Sequence, residues 1–110
     1  MLGAKDLTRS IEFYRDRLGL ELRNQTPGFA FFNAGSVTLC VNEPLARVAG
    51  DAMNGATEFA FPVEHVRDAY QALQAKGVVF TREPRNVFGS SWAANFKDPD
   101  GHQLSIFGNE

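Results

Sequence analysis

Cysteine occurs once in these 110 residues, at Cys40. That excludes an intrachain disulfide and any zinc site built from several thiolates. No apolar run approaches the length of a membrane-spanning helix. The amino end, Met1-Leu-Gly-Ala-Lys-Asp6, has no signal-peptide core, so the cytoplasm is the expected compartment. A basic excess is also missing. Eleven Lys and Arg stand against thirteen Asp and Glu, for a net charge of −2. This argues against a sequence-independent grip on nucleic acid. No basic amphipathic run suits a membrane surface, and low-complexity tracts are absent. Phenylalanine, by contrast, is abundant. Ten copies predict an aromatic core or an aromatic-lined pocket.

Residues 2–5 read as a short first strand. Asp6 is placed to cap a helix whose apolar face is Leu7, Ile11, Tyr14 and Leu18, with Gly19 as its stop. A strand near Leu20 and Leu22 breaks at Pro27-Gly28. Two more strands, 29–32 and 37–41, are joined by Asn33-Ala34-Gly35-Ser36. Residues 44–56 read as a linker, with a short helical turn near Leu45 to Val48. The order then restarts. An alternating strand begins at Glu58, and a helix follows with Val66, Tyr70 and Leu73 on one face, ending at Gly77. A strand opens at Val78 and Phe80, and 84–91 read as a loop. Strands 92–96 and 103–107 then flank Asp98-Pro-Asp-Gly101. Pro99 fixes φ at the first corner of that turn and Gly101 supplies a positive φ.

The two halves align as a repeat, with Gly35 on Gly101, Leu39 on Leu104, Cys40 on Ser105 and Val41 on Ile106. The predicted class is therefore α+β. Tandem βαβββ modules, 1–43 and 57–110, would share one domain and form a cupped, partly open mixed sheet with helices outside.

Two segments carry a family resemblance. Asp6-Leu-Thr-Arg-Ser-Ile-Glu-Phe-Tyr-Arg-Asp-Arg-Leu-Gly-Leu-Glu-Leu22 and Phe96-Lys-Asp-Pro-Asp-Gly-His-Gln-Leu-Ser-Ile106 resemble the hallmarks of the vicinal oxygen chelate superfamily. That group includes glyoxalase I, extradiol dioxygenases, and fosfomycin- and bleomycin-resistance proteins. The resemblance implies four metal-ligand positions. The first falls seven residues ahead of Asp6, before Met1, and the others fall on Cys40, Glu58 and Ser105. Only Glu58 suits a hard cation, and Cys40 would suit a soft one. A catalytic metal generally needs about three protein donors. No bound metal or other cofactor is therefore expected, unless a first strand beginning upstream of Met1 supplies a ligand.

Residues two apart share a strand face, so the repeat names a groove without a metal. From the first module it takes Phe29, Phe31, Thr38, Cys40 and Asn42. From the second it takes Glu58, Asn95, Gln103, Ser105 and Phe107. Leu39, Val41, Phe59, Phe61, Phe96, Leu104 and Ile106 would face the helices as core. The three groove Phe rings would be apolar walls, and a lone Glu58 carboxylate would favour an organic ligand with a cationic or hydrogen-donor group. Trp92 is expected to pack in the core or a loop. His65 and His102 are expected at the surface, and Cys40 as a small buried filler.

The expectation is thus a small-molecule binding protein of the glyoxalase and bleomycin-resistance type, holding a cationic or aromatic organic ligand in the cleft between the two modules without a metal. The alternative is a lyase, isomerase or oxygenase using Glu58 as metal ligand or general base. A homodimer is expected, because members of the family commonly dimerise and the short first strand leaves an edge to cover.

Overall fold

The computed structural model describes residues 1–50 and 57–110. The chain falls into two compact units, Met1–Asn54 and Gly55–Glu110. In the first unit the Asp6 side chain accepts a hydrogen bond from the Arg9 amide at 3.3 Å and so starts helix α1. The helix is α-helical over Leu7–Ile11 and widens to π geometry over Glu12–Arg17. The Leu18 amide accordingly reaches back five residues to the Phe13 carbonyl at 3.0 Å. The strands are β1 (Leu2–Gly3), β2 (Glu21–Thr26), β3 (Phe29–Ala34) and β4 (Val37–Asn42), in the order β1-β4-β3-β2. β1 pairs with β4 in parallel and the other pairs are antiparallel. Tyr14 from α1 and Phe32 from β3 are fully buried, their ring centroids 5.7 Å apart.

The segment read as a linker begins with a helix, α2 (Glu43–Ala49). The Asn42 Oδ1 accepts from the Leu45 amide at 2.8 Å, and Pro44 occupies the first turn, where its missing N–H costs nothing. The rest of that linker, 51–56, lies outside the described residues.

The second unit repeats the first. Its elements are β5 (Glu58–His65), α3 (Val66–Ala75), β6 (Phe80–Phe88), β7 (Ser91–Lys97) and β8 (Gln103–Asn109). The sheet order β5-β8-β7-β6 matches the first sheet strand for strand, again with one parallel pair, β5 with β8. The tandem βαβββ arrangement expected from the repeat is present, as two mixed four-stranded sheets. Tyr70 of α3 packs on Phe80 at 4.6 Å, and Phe80 on Phe96 at 5.1 Å, so one aromatic column ties the helix to β6 and β7. At the amino end of α3, Arg67 lies over the Trp92 ring, 4.8 Å from its centroid, and pairs with Glu110 at 2.8 Å.

Two expectations change here. Residues 84–88 belong to β6 instead of a loop. β6 is an edge strand whose register slips between Arg82 and Arg85, and an edge or a bulge is where a strand tolerates Pro84. Phe59 is 38% exposed and Phe61 half-buried, whereas Leu39, Val41, Phe96, Leu104 and Ile106 are core as expected. β5 is the other edge of its sheet and has a strand neighbour on one side only. Among the described residues no helix is long and apolar enough to cross a membrane.

The closing turn is organised by Asp98, which is 5% exposed. Its Oδ1 accepts from the amides of Asp100 and His102, both at 2.9 Å, and Gly101 takes φ 87°. Hydrogen bonds to a charged acceptor contribute about 1.5–3 kcal/mol each, so Asp98→Ala is expected to lower unfolding free energy by about 2–3 kcal/mol. Urea denaturation checks this. A loss under about 0.5 kcal/mol, the level of an ordinary surface change, would mean that Pro99 and Gly101 hold the turn by themselves.

Candidate functional site

Strand register fixes which side chains of the second sheet share a face, because directly paired residues point the same way. One row across the sheet is Glu58 on β5, Gln103 on β8 and Lys97 on β7. The next is Ala60, Ser105, Asn95 and Arg82, and a third is Pro62, Phe107, Ala93 and Arg85. The opposite face carries Phe59, Leu104, Phe96 and Phe80, of which Phe80 meets Tyr70 of α3. The helix covers one side of the sheet, and the polar rows take the other.

A continuous hydrogen-bond chain runs through these rows. Arg85 Nη1 donates to Asn95 Oδ1 at 2.8 Å, and Asn95 Nδ2 donates to Glu58 Oε1 at 2.8 Å. Ser105 Oγ donates to Glu58 Oε2 at 3.0 Å. Asn95 can face only one way here. Reversed, its NH2 would meet a guanidinium and its oxygen a carboxylate. Asn95 and Ser105 are buried, at 8% and 2% exposure, while Glu58 itself is exposed. Two buried donors on adjacent central strands therefore present the carboxylate at the open side of the sheet. Thr81 Oγ1 donates to the Asn95 carbonyl at 3.2 Å and ties β6 to the same point.

A cavity of about 460 Å³ opens on this face, within the usual range for small-molecule sites. Glu58, Thr81, Arg82, Asn95, Lys97 and Gln103 line it. Its walls are polar, not aromatic. The carboxylate is not lone either, since Asn95 and Ser105 hold both its oxygens and two cations share the wall. The expectation of apolar walls around an unpartnered acid that favours cations does not describe this cavity.

The sequence-derived candidates separate as follows. Glu58, Asn95, Gln103 and Ser105 come together as expected. Phe107 lies on the same face, one row further along from Ser105, and is 42% exposed. Phe29, Phe31, Thr38, Cys40 and Asn42 share one face of the first sheet, as the pairings Phe29 to Asn42, Phe31 to Cys40 and Asn33 to Thr38 require. There the Phe29 and Phe31 rings stack at 6.3 Å. Asn42 is committed to capping α2, and its Nδ2 donates to the buried Cys40 Sγ at 3.9 Å. The exposed Thr38 hydroxyl accepts from Arg23 at 3.4 Å. Reasoning from sequence missed Arg82 and Lys97. Lys97 was within reach, being two residues beyond Asn95 on an alternating strand. Arg82 was not, because alternation from Phe80 puts it on the helix-facing side, and only the register slip between Phe80 and Arg82 turns it to the polar face.

The residues do not fit a divalent cation. Of the implied ligand positions within residues 1–110, Cys40, Glu58 and Ser105, only Glu58 is a carboxylate, and both its oxygens accept hydrogen bonds. Ser105 directs its hydroxyl proton at that same carboxylate. Among the described residues no three of His, Cys, Asp and Glu converge on a common point.

Comparison with known proteins gives a consistent picture. The model of the Glyoxalase/Bleomycin resistance protein/Dioxygenase superfamily matches residues 1–106. The protein YraH of Bacillus subtilis (strain 168) is 31% identical over 119 residues, spanning 96% of this chain and 92% of its own. The metallothiol transferase FosB of Staphylococcus haemolyticus is 28% identical over 106 residues, spanning 94% of this chain and 76% of its own. The crystal structure of a glyoxalase/bleomycin resistance protein/dioxygenase from Nocardioides superposes with a TM-score of 0.78 at 27% identity, spanning 98% and 79%.

Proposed function

Because the chain belongs to the glyoxalase/bleomycin resistance protein/dioxygenase superfamily, we propose that it binds a small organic molecule, without a metal, on the polar face of its second sheet. One observation carries the reading: the Glu58 carboxylate, held by Asn95 and Ser105, stands on the wall of a cavity of about 460 Å³. A carboxylate so fixed retains lone pairs for a hydroxyl or amine of a ligand. Its position is set before any ligand arrives, which lowers the ordering cost of binding.

A second reading is supported by the position of the Glu58 carboxylate on the cavity wall and by similarity to the lactoylglutathione lyase of Haemophilus influenzae, 28% identical over 100% of this chain and 90% of its own. In it Glu58 takes a proton from a bound substrate as a general base, in a lyase or isomerase reaction.

A thermal-shift screen with divalent metals on one arm and small organic acids, amines and phenols on the other tests the binding reading. An organic compound at a hundred times its dissociation constant is expected to stabilise the protein by about 2.7 kcal/mol. Asn95→Ala, which removes one hydrogen bond from Glu58 and one from Arg85, is expected to weaken that compound at least tenfold. Stabilisation by a metal alone, with no organic compound active, would overturn the reading.

A further inference from the structure

The charges on the cavity wall are segregated. The carboxylate belongs to β5 at one edge of the sheet, Lys97 to β7 and Arg82 to β6 at the other edge. Adjacent strands lie about 4.8 Å apart, so the backbones of Glu58 and Lys97 are separated by about 10 Å, and those of β5 and β6 by about 14 Å. Glu58 draws its two hydrogen bonds from neutral donors, Asn95 and Ser105, and not from either cation. Arg85, the third cation of this face, is occupied by Asn95 Oδ1 and by the Ala93 carbonyl at 3.4 Å. Arg82 and Lys97 make no ion pair or side-chain hydrogen bond among the described residues. Both are exposed and line the cavity, so their charge is available to whatever fills it. Two cations against one carboxylate leave this wall net positive, in a chain whose total charge is −2.

Resting on the binding reading above, we propose that the ligand is a small organic acid. Its oxyanion lies between Arg82 and Lys97, and a hydroxyl or N–H at its other end donates to Glu58. The orientation follows from the chemistry of the two ends. An oxyanion placed beside Glu58 would face like charge. A cationic group placed beside Arg82 and Lys97 would face two like charges. Only the anion-to-β6, donor-to-β5 arrangement pairs every charged group on the wall. Gln103, between Glu58 and Lys97 in the same row, offers an amide to the middle of such a molecule.

Three probes of one scaffold test this: 4-hydroxyphenylacetate, its neutral amide 4-hydroxyphenylacetamide, and the cation tyramine. Each is titrated into isotope-labelled protein, with amide shifts at Asn95, Lys97, Gln103 and Ser105 as the readout. The carboxylate is expected to bind at least tenfold more tightly than the amide, with tyramine weaker still, and to weaken as salt rises. The double variant R82Q/K97Q is expected to lose at least tenfold in affinity for the carboxylate. R47Q/K76Q removes the same charge from exposed positions outside the cavity lining and is expected to change it less than twofold. Equal or tighter binding of tyramine or the amide at these same residues would overturn the organic-acid proposal and leave the binding site standing. Equal losses in the two double variants would also overturn it, because net charge alone would then account for affinity. Shifts confined to other residues would overturn both the proposal and the site.

Discussion

Phe96→Ala is expected to cost about 3–5 kcal/mol of folding free energy, the range for truncating a large buried aromatic. The residue is fully buried at the centre of the second unit. It pairs across β7 and β8 with Leu104, also fully buried, and completes the aromatic column that descends from Tyr70 through Phe80. Truncation removes the ring's transfer energy and opens a void that α3 cannot close without losing its own hold on Phe80. The tilted ring contact with Phe80 adds about 0.5–1.5 kcal/mol beyond buried area. Domains of this kind are stable by only about 5–15 kcal/mol, so a large fraction of the folded population is at stake. Urea denaturation measures the change through the transition midpoint and slope. Phe88→Ala is the matched control, because Phe88 is 82% exposed and its loss should stay within about 0.5 kcal/mol. A loss below about 1.5 kcal/mol at Phe96 would mean that the column does not carry the packing of this unit.

Gly108→Ala is expected to be at least as damaging, by a different route. A Cβ at Gly108 would sit 1.9 Å from the Val63 carbonyl oxygen and 3.0 Å from its carbon. Both are backbone atoms of β5, so no side-chain rotation relieves the clash. Gly108 pairs with Val63 on one side and Trp92 on the other, and the β5–β8 register slips just beyond this point. The strands must separate where β8 is held on both edges. Overpacking a rigid site typically costs about 1–3 kcal/mol, and a contact against fixed backbone falls at or above the top of that range. Because β5 carries Glu58, the variant is also expected to reduce ligand binding even where it folds. Circular dichroism and urea denaturation of the variant check the first effect. A fully folded protein within about 1 kcal/mol of the parent would show that β5 yields at this position.

These two residues also mark what was legible in the sequence. Phe96 was readable. It alternates with Asn95 on a strand flanking the Asp98-Pro-Asp-Gly101 turn, and alternation placed it in the core together with Leu104. The same alternation brought Glu58, Asn95, Gln103 and Ser105 to one face. Gly108 was not singled out, because the strand was ended at Phe107. A glycine continuing an apolar strand does signal close backbone approach, and that was the clue available. Arg82 was hidden by a bulge: two residues after the core residue Phe80, it reads as core-facing until the register slip between them, which only pairing reveals, turns it to the other face. Helix α2 was legible only as a short turn near Leu45 to Val48, because Pro44 masks its start, although Asn42 followed by Pro44 is a capping pattern. The widening of α1 to π geometry left no trace, since the spacing of Leu7, Ile11, Tyr14 and Leu18 fits an ordinary helix equally well. Finally, alternation assigned Glu58 to a face but could not show that buried amide and hydroxyl donors would hold it there, and this is what changes its chemistry.

The most direct test of the central claim, a ligand site organised by Glu58 without a metal, is elemental analysis of protein purified without chelator, alongside Glu58→Ala. The account predicts zinc, nickel, manganese and iron all well below one equivalent per chain, and no difference between the two proteins. One equivalent of any of them in the parent, lost in Glu58→Ala, would contradict it.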